Sequence, residues 1–422
     1  MKRLFLTAAI VISHFFVEGQ PPLTLDSCYS RAREQYPLIK QKDLIEKTKE
    51  FNISNASKGY LPQVSFNGQA TYQSAVTSIP IAFKIGGQNI TIPTLPKDQF
   101  NVHGEVDQTI YDGGIIKQQK ESHNVNAEIQ QQNIEVQLYA LKDRINQIFF
   151  GALLIDEQIK QNELTQKDIQ SSIDKIKDQI NNGTALISSL DELQASILQQ
   201  QQNEIGLKAS RKAYLDMLGL FINQTLDDKT VLQSPVTIKV SETITRPELS
   251  YFEIQKKNDD VQSKILSAGN RPKFLYFFQG GYGLPGLNAF DINPALYYIT
   301  GFRLSWALGG YYTLKNQRQL LDIDRQSLDI QREDFLFNTH ITLKQQNTDI
   351  TKLQQMITID NDIISKRIAI KNSAKSQMEN GVVTIHEYVN QLDAEDQAKQ
   401  ALLLHQIQLL LAEYSYQNTT GN

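Results

Sequence analysis

The sequence predicts a mainly α-helical chain that also carries membrane-type β-strands, with one order of elements used twice. Three observations predict it. None of the twelve prolines lies between Pro96 and Pro235 or after Pro294, which leaves two tracts of more than a hundred residues where helices can run unbroken. Inside the first tract, apolar residues recur at alternating steps of three and four. Four other segments alternate apolar and polar residues with period two, the mark of strands with one apolar face.

Composition narrows the function. Apolar residues make up 40% of the chain, enough for a core, and 42 basic against 46 acidic residues leave a net charge of −4. That balance excludes a basic nucleic-acid platform. The single cysteine, Cys28, excludes an intramolecular disulfide framework and a multi-cysteine metal site. Lys2 and Arg3 precede an apolar run from Leu4 to Val17, too short for the roughly twenty residues of a membrane-spanning helix. Residues 1–19 therefore read as a secretory signal peptide, whose removal would leave forty basic and forty-five acidic residues. Leu25-Asp26-Ser27-Cys28 loosely resembles a lipidation site and keeps a lipoprotein open as an alternative. Past residue 20 no apolar stretch approaches eighteen residues, so entry into a membrane must use strands.

The duplication is read from landmarks in matching order. Pro62 in 58–72 answers Pro272 in 269–283, Asp112-Gly113-Gly114 answers Leu308-Gly309-Gly310, and Asn182-Gly183 answers Asn380-Gly381. The first repeat spans 20–221, with a helix from about 25 to 58, a β-hairpin at 61–111 and a long helical hairpin at 114–221. Pro37 should kink its first helix. A linker, 222–246, leads to the second repeat, 247–422, with a helix to about 268, a β-hairpin at 272–308 and a helical hairpin at 310–417. The extra length of the first repeat falls in a longer loop between its two strands.

In the first hairpin Val64, Phe66, Gly68, Ala70 and Tyr72 share one face, joined by Phe100, Val102, Val106 and Ile110. The second supplies Phe274, Tyr276, Phe278 and Tyr282, then Leu296, Tyr298, Phe302, Leu304 and Trp306. In the first long helix Leu138, Leu141, Ile145, Ile148, Ala152, Ile155 and Ile159 form a heptad seam that resumes at Ile169, Ile173, Ile176 and Ile180. Asn162 and Gln166 fill the gap with polar groups. Gly183 and Gly381 end the long helices, where glycine takes the left-handed conformation that closes a helix. They serve an ordinary hairpin turn or a docking tip for a partner.

Gly281-Tyr282-Gly283-Leu284-Pro285-Gly286 has dinucleotide-type glycine spacing but leads into another strand instead of a helix, so it reads as a hairpin loop. The scattered histidines His103, His123, His340, His386 and His405 read as solvated or lumen-facing, and no convergent acid, base and nucleophile set supports catalysis or a cofactor. Four strands cannot close a membrane barrel, and open edges are not tolerated in hydrocarbon. The chain must supply part of a barrel and oligomerise to complete it, with the polar strand faces lining a lumen.

The ordered set comprises the leader, Leu61-Pro62-Gln63 opening a strand, Tyr111-Asp112-Gly113-Gly114 opening a long helix, and Asn182-Gly183-Thr184 followed by Leu190-Asp191-Glu192-Leu193. Used twice, it resembles the TolC-like outer-membrane efflux proteins over essentially the whole chain past the leader. The resemblance implies a homotrimer: a twelve-stranded transmembrane β-barrel, four strands per chain, continued by a long α-helical barrel of coiled-coil hairpins in the periplasm. It makes 222–246 a linker of the periplasmic equatorial region. It also implies a passive exit channel in the outer membrane of a Gram-negative bacterium, with a periplasmic adaptor and, through it, an inner-membrane efflux pump as partners. By that resemblance Gly183, Thr184, Ala185, Leu186, Gly381, Val382, Val383 and Thr384 occupy the adaptor-docking tips, while Glu387, Asn390 and Asp191 fall near a pore constriction. Asn390 departs from the family's acidic pattern, which weakens an acidic gate. Lipid would meet Val64, Phe66, Phe100, Val102, Phe274, Tyr276, Phe302 and Trp306. A periplasmic coiled-coil scaffold with a small soluble β domain is the alternative; it explains the heptads but not four duplicated, aromatic-rich strands.

Overall fold

A computed structural model describes residues 22–78, 83–90, 94–238 and 241–422, so the expected signal peptide lies outside the described residues. The chain begins with α1 (Leu25–Gln35), a 3₁₀ turn at Pro37–Ile39 and α2 (Lys40–Ser57). The expected interruption at Pro37 is there. Thr24 opens α1, its hydroxyl accepting from the Ser27 backbone N–H at 3.2 Å. The first hairpin is β1 (Gln63–Tyr72) and β4 (Asp98–Tyr111), and the long loop between them holds a small hairpin that the sequence reading missed, β2 (Phe83–Ile85) and β3 (Gln88–Ile90). Gly86 and Gly87, both at positive φ, form its two-residue turn.

The single helix expected over 114–182 is two, α3 (Ile115–Tyr139) and α4 (Leu141–Asn181). Ala140 between them stays in the helical region at φ −62° and ψ −17°, so the division is a loosened turn. Then follow α5 (Ile187–Ile222), α6 (Pro247–Gly269), β5 (Lys273–Leu284), β6 (Ala295–Ser305), α7 (Tyr311–Glu379) and α8 (Ile385–Thr420). The 69 residues of α7, without proline, make a rod on the order of 100 Å long. No helix among the described residues is long and apolar enough to cross a membrane.

Two compact units interleave in sequence. One takes the chain up to Ile39 with Gln137–Arg246 and Phe337–Asn422; the other takes Lys40–Val136 and Pro247–Leu336. Each repeat therefore contributes to both.

In the first unit α4 packs against α5 and α8, and α1 against α4 and α5. Leu25, Cys28 and Ala32 are the buried stripe of α1. Cys28 has no exposed surface, and burial pushes its thiol up to about 12. The heptad seam is buried at Leu138 of α3 and at Leu141, Ile145, Ala152, Asn162, Ile169, Ile173 and Ile176 of α4. A second buried stripe, Asn146, Phe149, Leu153, Gln161, Thr165 and Ser172, was not read from the sequence. Two neighbours require two stripes, and the second escapes a heptad search because most of it is polar.

In the second unit the sheet runs β1-β4-β5-β6, every pair antiparallel, and neither β1 nor β6 has a further strand partner among the described residues. Pairing of Phe66 with Gly104, Val106 with Phe278 and Tyr276 with Phe302 puts the predicted apolar residues on one face of all four strands. A bulge between Thr109 and Tyr111 alters that face at its end: Tyr111, not Ile110, pairs with Phe274. Trp306 is a correction too, since it lies past the end of β6 and donates its indole N–H to the Asn270 carbonyl at 3.0 Å. The glycine-rich segment read as a loop belongs largely to β5, which continues to Leu284.

The repeats also differ where the long helices begin. Asp112 caps α3, accepting from the Gly114 N–H at 2.8 Å and the Ile116 N–H at 2.6 Å, with Gly113 and Gly114 at positive φ. Leu308 in the matching place cannot cap, and Gly309 and Gly310 form an ordinary 3₁₀ turn.

Candidate functional site

Both long helices of the first unit end in the same motif. The Gly183 N–H bonds the Ile180 carbonyl at 2.9 Å and the Thr184 N–H that of Gln179 at 2.8 Å. In the second repeat the Gly381 N–H bonds Met378 at 3.0 Å and the Val382 N–H bonds Gln377 at 2.8 Å. This six-to-one, five-to-two pattern needs a left-handed residue, and both glycines supply it, at φ +69° and +71°. An added Cβ would meet nothing within 4 Å at either, so the backbone conformation alone requires glycine. Thr384 caps α8 by accepting from the Glu387 N–H at 3.3 Å.

The eight predicted tip residues divide by environment. Ala185 and Val383 turn inward onto a cluster of Ile169, Ile173, Ile176, Leu193, Met378, Ile385, Tyr388, Val389 and Leu392. Gly183, Thr184, Gly381 and Thr384 are exposed. Leu186 and Val382 are large apolar side chains held 72% exposed, unusual beside so well-filled a cluster. The tips are tied together: Lys175 pairs with Glu379 at 2.6 Å, and His386 Nδ1 lies 2.7 Å from Glu192 Oε1. Asp191, Glu387 and Asn390 are exposed, and Glu387 accepts from the Gln391 amide at 2.8 Å.

Beyond the tip cluster the sequence reading missed a buried polar layer where α4 and α8 pack. Glu395, 3% exposed, forms ion pairs with Lys371 at 2.8 Å and Lys399 at 2.7 Å, and Lys371 lies 3.3 Å from Asp168. Asp396 accepts from Thr165 at 2.6 Å and Gln161 at 3.0 Å, and the hydroxyls of Tyr388 and Ser172 meet at 3.1 Å. Burial alone would raise the Glu395 pKa, but the two lysines outweigh it and hold the carboxyl below its ordinary value. Burial likewise opposes the Lys371 ammonium, yet Glu395 and Asp168 raise its pKa. Asp393 is raised by burial and then by the charge of Asp396. His405 corrects the expectation of a solvated histidine, since it is largely buried with Nδ1 2.6 Å from Asp360. The signal for this layer was polar residues at core positions of α4, visible in sequence at Asn162 but not at Gln161 and Thr165.

On the sheet Val64 is 76% and Phe66 78% exposed, and Val102, Tyr276 and Phe302 are exposed with them. Phe100 and Phe274 are half-buried on the same face, Phe274 stacked on Phe302 with centroids 5.5 Å apart.

Residues 28–224 match the family model for outer membrane efflux proteins. No curated protein matches the chain. Solved structures reproduce the fold at low identity. CusC, from a study of folding and transmembrane channel formation, gives a TM-score of 0.65 at 13% identity, covering 94% of this chain and 91% of that one. The outer membrane protein VceC of Vibrio cholerae gives 0.63 at 12%, covering 94% and 96%, and the open MtrE outer membrane channel of Neisseria gonorrhoeae gives 0.62 at 12%, covering 94% and 89%. Over residues 28–224 the chain is thus similar to outer membrane efflux proteins, and over most of its length it shares the fold of these solved structures.

The charge layer sets a pH dependence. A carboxyl held below its ordinary value contributes stability above the unfolded pKa, near 4.5, that is lost as pH falls through the folded one. The helical circular-dichroism melt of the wild type should therefore lose midpoint temperature on acidification below about pH 4.5. Glu395→Gln should flatten that loss; an equally steep acid loss in the variant would remove Glu395 as its source.

Proposed function

We propose that three copies of this chain form a passive exit channel in the outer membrane of a Gram-negative bacterium. The observation that carries the reading is the sheet: four strands with an exposed apolar face and, among the described residues, no further strand partner for either edge strand. In hydrocarbon every backbone N–H and C=O needs a partner, which three such sheets satisfy by closing a twelve-stranded barrel. The polar strand faces then line the lumen, and the helical hairpins form the periplasmic part. The exposed Leu186 and Val382 beside the glycine turns suit docking of a periplasmic adaptor, which couples the channel to an inner-membrane pump. Small molecules, including drugs and other toxic compounds, are the proposed cargo. A soluble scaffold would have to cover the apolar sheet face, and that face favours the channel.

Three outcomes test the reading. Phe66→Arg or Tyr276→Arg should cost about 2–4 kcal/mol at the bilayer midplane and prevent assembly, measured as outer-membrane yield; normal yield would mean that the outward face is misassigned. Gly381→Phe or Gly183→Phe should abolish export in a deletion strain while the trimer persists, since the left-handed conformation costs a side chain only about 1–2 kcal/mol and space is open. Full export by either variant would sink the docking role. Glu387→Gln should change single-channel current in planar bilayers, and identical currents would count against a constriction there.

A further inference from the structure

The polar face of the sheet carries a built charge cluster that the channel reading does not use. Arg303 of β6 reaches across β5 to β4: Nη2 donates to Glu105 Oε1 at 3.1 Å, and Nη1 lies 3.9 Å from Asp107 Oδ1. On the way the guanidinium lies over the Phe277 ring, 4.8 Å from its centroid. That ring has its place because Gly301 sits opposite in the register; a Cβ there would come within 3.3 Å of Phe277 Cε1. A second row repeats the device. The Tyr297 ring lies over Gly281, and its hydroxyl donates to Asn101 Oδ1 at 2.8 Å, the same atom that His103 Nδ1 approaches at 2.8 Å. Glycine under an aromatic ring flattens the face and fixes the side chains above it.

The cluster is wet, the Arg303 side chain being 49% exposed, so the ion pairs add little to stability. What they set is charge. Within this cluster, Glu105 and Asp107 against Arg303 leave one net negative charge per chain, and losing the arginine would leave two. Rings of charged side chains govern which ions a pore passes, and at physiological salt a charge is felt over about 8 Å.

Resting on the lumen assignment above, we propose that Arg303 is a specificity-determining residue of the strand-lined pore: it partly neutralises Glu105 and Asp107, so that the lining prefers cations moderately. Small ammonium- or guanidinium-bearing solutes are the class it would favour over anions.

Reversal potentials across planar bilayers in a potassium chloride gradient test this, with trimer content checked by light scattering for each variant. The wild type should be mildly cation-selective. R303Q should shift the reversal potential further toward cations, R303K should restore it to the wild-type value, and the E105Q/D107N pair should move it toward anions. Glu387 and Asp191 stay in place throughout, so the shifts report on the sheet. Conducting variants with unchanged reversal potentials would overturn this inference alone. A wild type that never conducts would overturn the channel reading and this inference with it.

Discussion

A β-sheet that exposes an apolar face and leaves both edges unpaired is unstable in water on one count and in hydrocarbon on the other. The assembly of this chain follows from how that is resolved. The face is built from Val64 and Phe66 through Phe278 and Tyr276 to Phe302 and Leu304, aligned across four strands by an unbroken central register. Its reverse carries Glu105, Asp107, Arg303, Asn101 and His103, which belong in water. In the proposed channel this sheet is part of a barrel wall, with lipid on one side and water on the other.

The helices meet a different constraint. α4 must contact two neighbours, and it does so with two stripes: an isoleucine-rich seam, and a mixed one in which Asn146, Gln161, Thr165 and Ser172 stand at core depth. Polar groups so placed need partners: the Tyr29 hydroxyl of α1 donates to Asn146, while Asp396 and Tyr388 of α8 partner Gln161, Thr165 and Ser172. Such a layer specifies which faces meet more than it adds stability, because each buried charge must first lose its water. Below it the tip cluster is wholly apolar apart from the Tyr388 hydroxyl, so firm packing sits directly behind the exposed turns.

The fold was legible wherever one periodicity dominated. Period two placed the four strands, heptads placed α4, and a proline-free tract together with the duplication placed α7. What was not legible depended on partners distant in sequence. The bulge that gives Tyr111 the place expected of Ile110 is set by pairing with β5, over 160 residues away. Trp306 alternates correctly with Leu304 but leaves the strand for the Asn270 carbonyl. The glycines of the tips announced their turns because the left-handed backbone is a local demand. The inward facing of Ala185 and Val383, and the pairing of His405 with Asp360, are tertiary facts with no local signature.

The likeness to outer membrane efflux proteins rests on the match over residues 28–224 and the shared fold, while the proposed assembly rests on the open sheet edges. The most direct test is the chain count of the particle extracted from outer membranes in detergent, by light scattering corrected for bound detergent. Three chains per particle, with aggregation when the detergent is removed, is the result this account predicts. A monomer or dimer that stays soluble without detergent would contradict it, because the strand edges and the apolar face would then have to be satisfied within one or two chains.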